Sequence, residues 1–509
     1  MDRRGQDPWY PIFKQTAGPS IYDAANYQMA TLQKQSYKAP NDVYTFRADA
    51  TKRFDTAFLK SIKFGGKYVS DERKPITDFA SYTWVGADGV PNSADDSMAP
   101  YADLSYRQSE DRYGPFPFMT KMRSPDDAPA GYWRQTADNA YTSYVTANNP
   151  TTFKEEITAG YIQGLFRFGK LRVLTGVRME DTKTSGTGWA RNTTVGRGGN
   201  SVGGTSLVPE VVEANRQRAA RSFVQRNKID GQYQKFFPGI HFTYEPIESY
   251  LFRASYNRSI SRPPVANILP TVTENPDTLT VTAGNPGLRP YISDNFEVSV
   301  EKYFEPVGLV SAGVFMKKID DYFRTFTSLA GPEGIDGNGL YAGYNVATSR
   351  NIGSAEIRGV ELSYRQQFSF LPGPFRGLGA YANFTYLQAE GDFGTTVTTS
   401  KLATLSPRQL NAGINFRYRG FDANLQCNYT AERYKSTFVA GPVSVDVYNE
   451  SRLKFDLKLQ YSFKRRYDIF LDIDNLTDES PRTDVTLNGL KWFATNQGVG
   501  FTSGVRARF

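Results

Sequence analysis

Strict alternation of apolar and polar side chains over long stretches is the feature that most restricts the fold of this chain. Residues 421–430 show it clearly, because Phe421 and Leu425 fall on one face and Asp422 and Gln426 on the other. Successive side chains of a β-strand point to opposite sides of the sheet, so the pattern predicts strands with one apolar and one polar face. The same alternation recurs in three other stretches, 410–418, 451–463 and 501–509.

About fifteen such segments can be placed, and most are about 9–14 residues long. Strands of soluble proteins usually have about 5–6 residues, whereas a tilted strand that crosses a bilayer needs about 9–11. Short and long connections alternate along the chain. The pattern predicts an all-β, transmembrane, antiparallel up-and-down β-barrel with short periplasmic turns and long extracellular loops. The predicted strands are 42–54, 59–71, 155–168, 171–182, 238–246, 249–261, 293–304, 309–323, 355–370, 377–390, 407–418, 421–432, 451–463, 467–475 and 492–509.

The composition excludes several other classes of protein. One Cys and one His among 509 residues exclude a disulfide framework and a multi-Cys zinc site. The longest apolar run, 309–316, is far shorter than the roughly 18 residues of a membrane-spanning helix. A net charge of +8 without a basic run gives no support for nucleic-acid binding. A soluble β-sandwich, solenoid or propeller with one solvated face is the alternative to the barrel.

The strand count predicts that the chain is part of a larger barrel. Fifteen is odd, whereas single-chain bacterial outer-membrane barrels have even numbers of strands. Counting back from a last strand that ends on the periplasmic side, residues 1–41 fall in a partial extracellular loop. Within it, 20–35 reads as a short helix. A weak sixteenth strand hidden in 1–41 is the alternative.

Several short motifs occur along the chain in a characteristic order. The motifs and their order resemble those of the C-terminal barrel portion of TonB-dependent outer-membrane receptors, although no single motif is specific. The motifs are GVRME at 176–180, FPGI at 237–240, FRASY at 252–256, SRP at 261–263, GNPGLRP at 284–290, NFE at 295–297, IRGVEL at 357–362, DNLT at 474–477 and GVRARF at 504–509.

The resemblance implies a 22-strand barrel closed around a globular plug. Residues 42–509 would then supply the last fifteen strands, and the plug with its TonB box would be absent. The intact protein would lie in the outer membrane of a Gram-negative-type bacterium and take up a scarce ligand, a ferric siderophore or a glycan, by TonB-coupled transport. Its other partners would be outer-membrane lipid and the barrel-assembly machinery, which reads a C-terminal aromatic residue, here Phe509. Alternatively, Phe509 is only one more aromatic residue of the membrane interface.

The long loops are where ligand contacts are expected. Segment 72–154 is rich in aromatic side chains, which stack on sugar faces and on catecholate rings. We expect Trp84, Tyr101, Tyr132 and Trp133 to contact the extracellular small ligand. The alternative is that these rings pack the large loop on itself.

Charged residues are expected on the lumen side of the strands, because a Lys or Arg facing lipid near the midplane costs about 2–4 kcal/mol. The resemblance implies that they contact the plug. A solvated wall whose charges pair with one another is the alternative. Five residues represent this set: Arg178, Glu180, Arg253, Glu361 and Arg506.

No catalytic residue, cofactor or metal site is expected. The lone His241 falls on the polar strand face without a second His, and the carboxylates near 472–478 lack the Gly and Glu of a calcium-binding loop. Two other functions stay open. One is a passive, porin-like diffusion channel complete at about sixteen strands. The other is a ligand-binding or adhesive barrel that does not transport.

Overall fold

One large antiparallel sheet dominates the computed structural model. The structure describes residues 15–105, 117–119, 125–191, 203–275, 279–285, 287–334, 339, 341–392, 401–440, 443–463, 466–485, 491–494 and 497–507. Each long strand pairs with the next long strand along the chain, as in an up-and-down barrel. These strands are β1 Asn41–Arg53, β2 Leu59–Arg73, β3 Thr152–Phe168, β4 Leu171–Arg191, β5 Phe223–Tyr244, β6 Tyr250–Ser261, β7 Tyr291–Phe304, β8 Gly308–Leu329, β9 Asn345–Gln367, β10 Leu378–Asp392, β11 Arg408–Tyr418, β12 Phe421–Thr430, β13 Arg452–Phe463, β14 Tyr467–Asp474 and β15 Gly500–Ala507.

All fifteen predicted strands coincide with one of these strands, and their ends beside the short turns are nearly correct. The ends beside the long connections differ. Strand β4 runs to Arg191 rather than 182, β5 begins at Phe223 rather than 238, and β9 begins at Asn345 rather than 355. These extensions carry scattered apolar side chains, such as Ile229 and Val346, among polar residues on both faces, so they lack the regular alternation on which the prediction depended.

The register sorts the strands into two faces. Ala412, Cys427 and Phe455 lie in one row across β11, β12 and β13. The apolar face stays uncovered: Phe421 is 38% and Val505 is 69% exposed. A soluble sandwich would bury such a face against a second sheet, and none covers it in the described part of the chain. The soluble alternative is therefore wrong.

A two-residue turn shows how the short connections are built. Arg419 and Gly420, between β11 and β12, both have positive φ angles, 48° and 86°. Two successive positive φ angles are typical of the type I′ hairpin turn, whose twist matches that of the flanking strands. A Cβ atom at Gly420 would lie 2.4 Å from the carbonyl oxygen of Ser462, so this turn requires glycine.

Fifteen long strands form the wall, and two short strands, Val272–Asn275 and Thr280–Ala283, belong to the same sheet. None of the described residues before β1 adds a further wall strand. Strand β1 pairs with β2 and β15 with β14, and no ladder connects β1 to β15 among the described residues. Thr31–Lys38 is a strand, but it pairs with Ile76–Trp84 in a separate sheet. The helix predicted for 20–35 is therefore wrong: only Ala24–Asn26 forms a single 3₁₀ turn, because strand pairing overrides the local preference of 31–35.

The long connections carry the remaining elements. The strand predicted at 492–509 is two strands, since Lys491–Ala494 joins a small four-stranded sheet and only Gly500–Ala507 joins the large one. The helices are α1 Ala137–Ala147, α2 Pro209–Arg221 and α3 Val265–Ile268, with 3₁₀ turns at Ala24–Asn26, Ala99–Tyr101, Pro125–Asp127 and Gly373–Gly377. The short strands are Thr31–Lys38, Ile76–Trp84, Ala102–Asp103, Phe118–Met119, Trp133–Arg134, Val272–Asn275, Thr280–Ala283, Arg433–Ala440, Val443–Asn449, Arg482–Val485 and Lys491–Ala494. Among the described helices, none has the length and apolarity needed to span a membrane.

Candidate functional site

The polar face of the large sheet carries the charged residues that the sequence singled out. The register places Arg178 opposite Tyr161, Glu361 opposite Thr385, and Arg506 opposite Asp468. By the same register, all five predicted residues share the polar face: Arg178, Glu180, Arg253, Glu361 and Arg506.

Four charged side chains on this face form one ion network, which we call the Arg262 network: Glu155, Arg178, Glu180 and Arg262. Arg178 contacts Glu180 at 2.7 Å, and Arg262 contacts Glu180 at 2.9 Å and Glu155 at 3.3 Å. The side chains of Glu180 and Glu155 are only 13% and 19% exposed. Because β3, β4 and the end of β6 each contribute to it, the network joins three parts of the wall near the long connections.

A cavity of about 320 Å³ lies lower on the same face. Three cationic side chains border it, and the acidic Asp49 beside it accepts hydrogen bonds from Arg47 Nε at 2.6 Å and from the Tyr161 hydroxyl at 2.5 Å. Arg47 pairs with Asp49 and Arg178 with Glu180, so these four side chains and Lys63 together carry a net charge of +1, which suits an anionic ligand or a complementary acidic protein surface. The polar side chains that line the cavity are Arg47, Lys63, Tyr161, Gln163, Arg178 and His241.

Residues 262–290 are here called the crossing segment, and its described parts, 262–275, 279–285 and 287–290, contact the polar face of β4 and the start of β9. A Cβ on Gly188 of β4 would lie 2.9 Å from Thr271 Cγ2, so β4 and this part of the crossing segment are in close contact. Further along the segment, Thr280–Ala283 pairs in parallel with the first residues of β9. The Asn285 side chain donates to the Ser349 carbonyl at 2.8 Å. The crossing segment therefore connects β4 to β9 across four intervening strands.

The four aromatic residues predicted in the loop 72–154 come together in the structure. The Trp84 ring centroid lies 5.4 Å from that of Tyr101, 5.3 Å from Tyr132 and 4.9 Å from Trp133, all edge to face. Trp84 is 1% and Trp133 is 8% exposed, and Met29 completes the cluster. The two Trp side chains are thus the core of a folded loop, while the two Tyr side chains stay partly accessible.

Helix α1 supports this aromatic cluster through polar contacts. Thr136 caps the helix by accepting from the N–H of Asn139. The Asn139 amide then donates to Thr83 Oγ1 at 2.6 Å, and the Ser81 N–H donates to Ser143 Oγ at 2.9 Å. We call the unit of Thr31–Lys38, Ile76–Trp84, Trp133–Arg134 and α1 the loop platform.

The other predicted residues have different surroundings. Arg253 pairs with Glu301 at 3.0 Å, and the Arg506 guanidinium lies 5.7 Å from the ring centroid of Phe470. Glu361 is exposed on the polar face. Phe509 lies outside the described residues.

Two groups of residues escaped the sequence analysis. Arg262 was noted only as part of a motif, although its position directly after a polar strand face and before Pro263 was a usable signal. The acidic residues Asp88, Asp95 and Asp96 were not predicted as a site. Three Asp within nine residues of a loop that contains Gly and Pro form a recognisable pattern.

Comparison with known proteins connects this geometry to a family. The family model described as "TonB dependent receptor-like, beta-barrel" matches residues 2–476. Three solved structures share the fold. They are the ferric-catecholate import receptor Fiu from E. coli K12 (TM-score 0.57, 13% identity, 92% of this chain and 55% of that chain), the ferric citrate transporter FecA (0.55, 10%, 93% and 55%) and the ferric yersiniabactin uptake receptor FyuA from Yersinia pestis (0.53, 14%, 94% and 56%).

This chain spans only about 55% of the length of these receptors. Among curated protein sequences, none has significant similarity to it. The family match nevertheless covers most of the chain, and the fifteen paired strands with one apolar and one charged face are the architecture of an outer-membrane barrel. The chain belongs to the TonB-dependent receptor-like β-barrel family of outer-membrane proteins.

Proposed function

We propose that this chain forms the barrel wall and extracellular loops of a receptor that imports a ferric siderophore across the outer membrane by TonB-coupled transport. The observation that carries the proposal is the cation-rich cavity on the polar face, above which lie the Arg262 network and the crossing segment. A ligand that enters from the extracellular loops would pass these features in the lumen.

The charge of the cavity favours an iron complex over a glycan. Arg47, Lys63 and Arg178 border the cavity, and a negatively charged ferric complex would make charge-assisted contacts with them. A neutral glycan would depend on exposed aromatic ring faces instead. Of the four predicted rings, those of Trp84 and Trp133 are buried in the loop platform, and those of Tyr101 and Tyr132 are partly accessible for stacking. The glycan alternative is therefore weaker than the sequence suggested.

The partners follow from the same arrangement. The apolar face would contact outer-membrane lipid, and Phe509 would be read by the barrel-assembly machinery. The charged lumen residues Arg178, Glu180, Arg253, Glu361 and Arg506 would contact a plug through which TonB acts. Fiu, FecA and FyuA are named for ferric catecholate, ferric citrate and ferric yersiniabactin, which supports an iron complex here.

Binding of defined ligands to the purified full chain in detergent tests the proposal. We expect saturable binding of an anionic ferric siderophore, measured by isothermal titration calorimetry, and at least tenfold weaker binding of a neutral maltodextrin. Arg178→Gln removes one cavity charge and should weaken siderophore binding about tenfold, which is about 1.4 kcal/mol. Arg376→Gln, in a short turn at the opposite end of the barrel, is the matched control and should bind like the wild type.

Two outcomes would contradict the proposal. Tighter binding of the maltodextrin would favour glycan uptake. Equal binding by Arg178→Gln and Arg376→Gln would remove the cavity from the ligand path. A passive channel makes a separate prediction: liposomes that contain the chain would swell in solutions of small sugars without TonB and without saturable binding. A purely adhesive barrel would bind its ligand with no contribution from the lumen residue Arg178.

A further inference from the structure

A tight loop at residues 85–97 brings acidic side chains together at the edge of the loop platform. It follows Ile76–Trp84 and contains Asp88, Asp95 and Asp96. A Cβ on Gly86 would lie 2.6 Å from Asp95 Oδ2 and 2.8 Å from Asp96 Oδ1. Oxygen atoms of two different carboxylates therefore border the same small space beside the Gly86 main chain.

The two carboxylates differ in how they are satisfied. Asp95 Oδ2 accepts hydrogen bonds from the N–H groups of Ala87 at 2.7 Å and of Asp88 at 3.2 Å. Asp96 Oδ2 accepts one from the N–H of Ser93 at 2.8 Å. Asp96 Oδ1 is buried and accepts no hydrogen bond from any described residue, and Asp96 as a whole is 0% exposed.

This arrangement leaves negative charge uncompensated. Burial raises the pKa of Asp96 above its usual value, even though main-chain N–H groups of Ser93 and Asn92 oppose the shift. The nearby charges of Asp95 and Asp88 raise that pKa further. A buried carboxylate oxygen without a donor is costly unless a proton or a cation compensates it. Asp96 Oδ1 and Asp95 Oδ2 both lie beside the same position at Gly86, and oxygens of more than one carboxylate are the ligands that a hard cation prefers.

We propose that the loop 85–97 binds a calcium ion through Asp95 Oδ2 and Asp96 Oδ1. Calcium takes six to eight oxygen ligands in flexible geometry, whereas magnesium demands a near-ideal octahedron. The described residues contain no set of three or more His, Cys, Asp or Glu side chains arranged around one metal position. The remaining ligands are therefore main-chain carbonyl oxygens and water, and the affinity belongs to the weak extracellular range, with a Kd of about 10⁻⁴–10⁻³ M. This inference revises the expectation that the chain has no metal site.

The ion would stabilise the loop platform directly. The Asp96 carbonyl accepts from the N–H of Met29 at 2.8 Å, and the Val85 N–H donates to the Tyr132 carbonyl at 2.8 Å. The loop thus holds two members of the aromatic cluster, Met29 and Tyr132, through its own main chain. Trp84 directly precedes the loop, and we expect its indole to sensitise a bound lanthanide.

Terbium luminescence on the full chain in detergent tests the proposal, because Tb³⁺ replaces Ca²⁺ at oxygen sites and is excited through a nearby Trp. We expect saturable emission that Ca²⁺ displaces at millimolar concentration and that Mg²⁺ displaces at least tenfold less well. Asp96→Asn keeps the shape of the side chain and should weaken Tb³⁺ and Ca²⁺ binding at least tenfold. Asp78→Asn, an exposed Asp on Ile76–Trp84, is the matched control and should bind as the wild type does.

Two results would overturn the proposal: emission that does not saturate, and emission that Asp96→Asn and Asp78→Asn affect equally. Limited proteolysis in the absence of metal guards against a misfolded variant, since Asp96→Asn should then give the wild-type fragments. If it does not, displacement of Tb³⁺ from the wild-type protein decides the question. Equal displacement by Ca²⁺ and Mg²⁺ at any concentration would exclude a calcium site of this kind.

Discussion

Replacing Arg262 by Met tests whether the Arg262 network holds the crossing segment on the barrel wall. The change keeps most of the side-chain length and removes the charge that Glu155 and Glu180 share. Loss of one partner from a fully buried ion pair costs about 3–5 kcal/mol, whereas an exposed pair contributes about 0–1 kcal/mol. Both carboxylates are less than one-fifth exposed, so an intermediate cost of about 2 kcal/mol is expected.

Hydrogen–deuterium exchange of the full chain in detergent measures the effect where it should occur. A loss of about 2 kcal/mol corresponds to about 30-fold faster exchange if the amides exchange through local opening of the segment. The faster exchange should be confined to residues 265–285, and β6 itself should be unchanged. Arg258→Met is the matched control, because Arg258 lies within β6 and pairs with Asp294 at 2.9 Å, outside the Arg262 network.

The reasoning is refuted if Arg262→Met and Arg258→Met give the same exchange in residues 265–285. That outcome would mean that the strand pairing at Thr280–Ala283 alone holds the crossing segment. A global increase in exchange over β3 and β4 would also count against the reasoning, because it would assign the network to the stability of the wall.

Three further substitutions probe other parts of the structure. Trp84→Ala removes a side chain that is 1% exposed and should lower the stability of the loop platform by about 3–5 kcal/mol. Faster proteolysis within 72–154 would show this loss. Tyr37→Ala, at a side chain that is 63% exposed on the same small sheet, should have little effect. Asn475→Ala removes hydrogen bonds of 2.9–3.0 Å to Glu479 and Gly498 and should lower the free energy of unfolding by about 3 kcal/mol. The measurement is a urea titration in which the folded fraction is read from heat-modifiable migration in gel electrophoresis. A change below about 0.5 kcal/mol would contradict this. Gly188→Val should detach residues 269–271 from β4 and reproduce the exchange pattern of Arg262→Met; unchanged exchange would show that the close contact is not needed.

The membrane-crossing part of the fold could be predicted from the sequence because lipid and lumen impose opposite requirements on successive residues. In β12, Leu425 and Cys427 alternate with Gln426 and Asn428, and the register of the strand follows from that alternation. Where the strands extend beyond the lipid-facing apolar band, successive residues no longer need to alternate between apolar and polar. Strand β5 therefore begins at Phe223, fifteen residues before the predicted start at 238, in a stretch where polar residues interrupt both faces.

The loop platform could not be predicted in the same way, because its contacts join distant parts of the chain. Thr31–Lys38 reads as a loop or a helix until it meets Ile76–Trp84, and only that pairing creates the surface on which Trp133 packs. The aromatic composition of 72–154 drew attention to four residues that the structure packs together, and their contact with a ligand stays a prediction. The composition could not show that two of them would be buried, because burial depends on strands that neither motif nor alternation predicts.

The crossing segment has a consequence for the width of the passage. A sheet held only by neighbour-to-neighbour ladders can open or flatten by small changes at each ladder, and these changes add up over many strands. The contacts of the crossing segment with β4 at Gly188 and with β9 at Thr280–Ala283 limit that freedom between these two strands, because a change in their spacing would strain both contacts. We therefore expect the distance between β4 and β9 at this height to vary less than the distance between strands that are joined only through their neighbours.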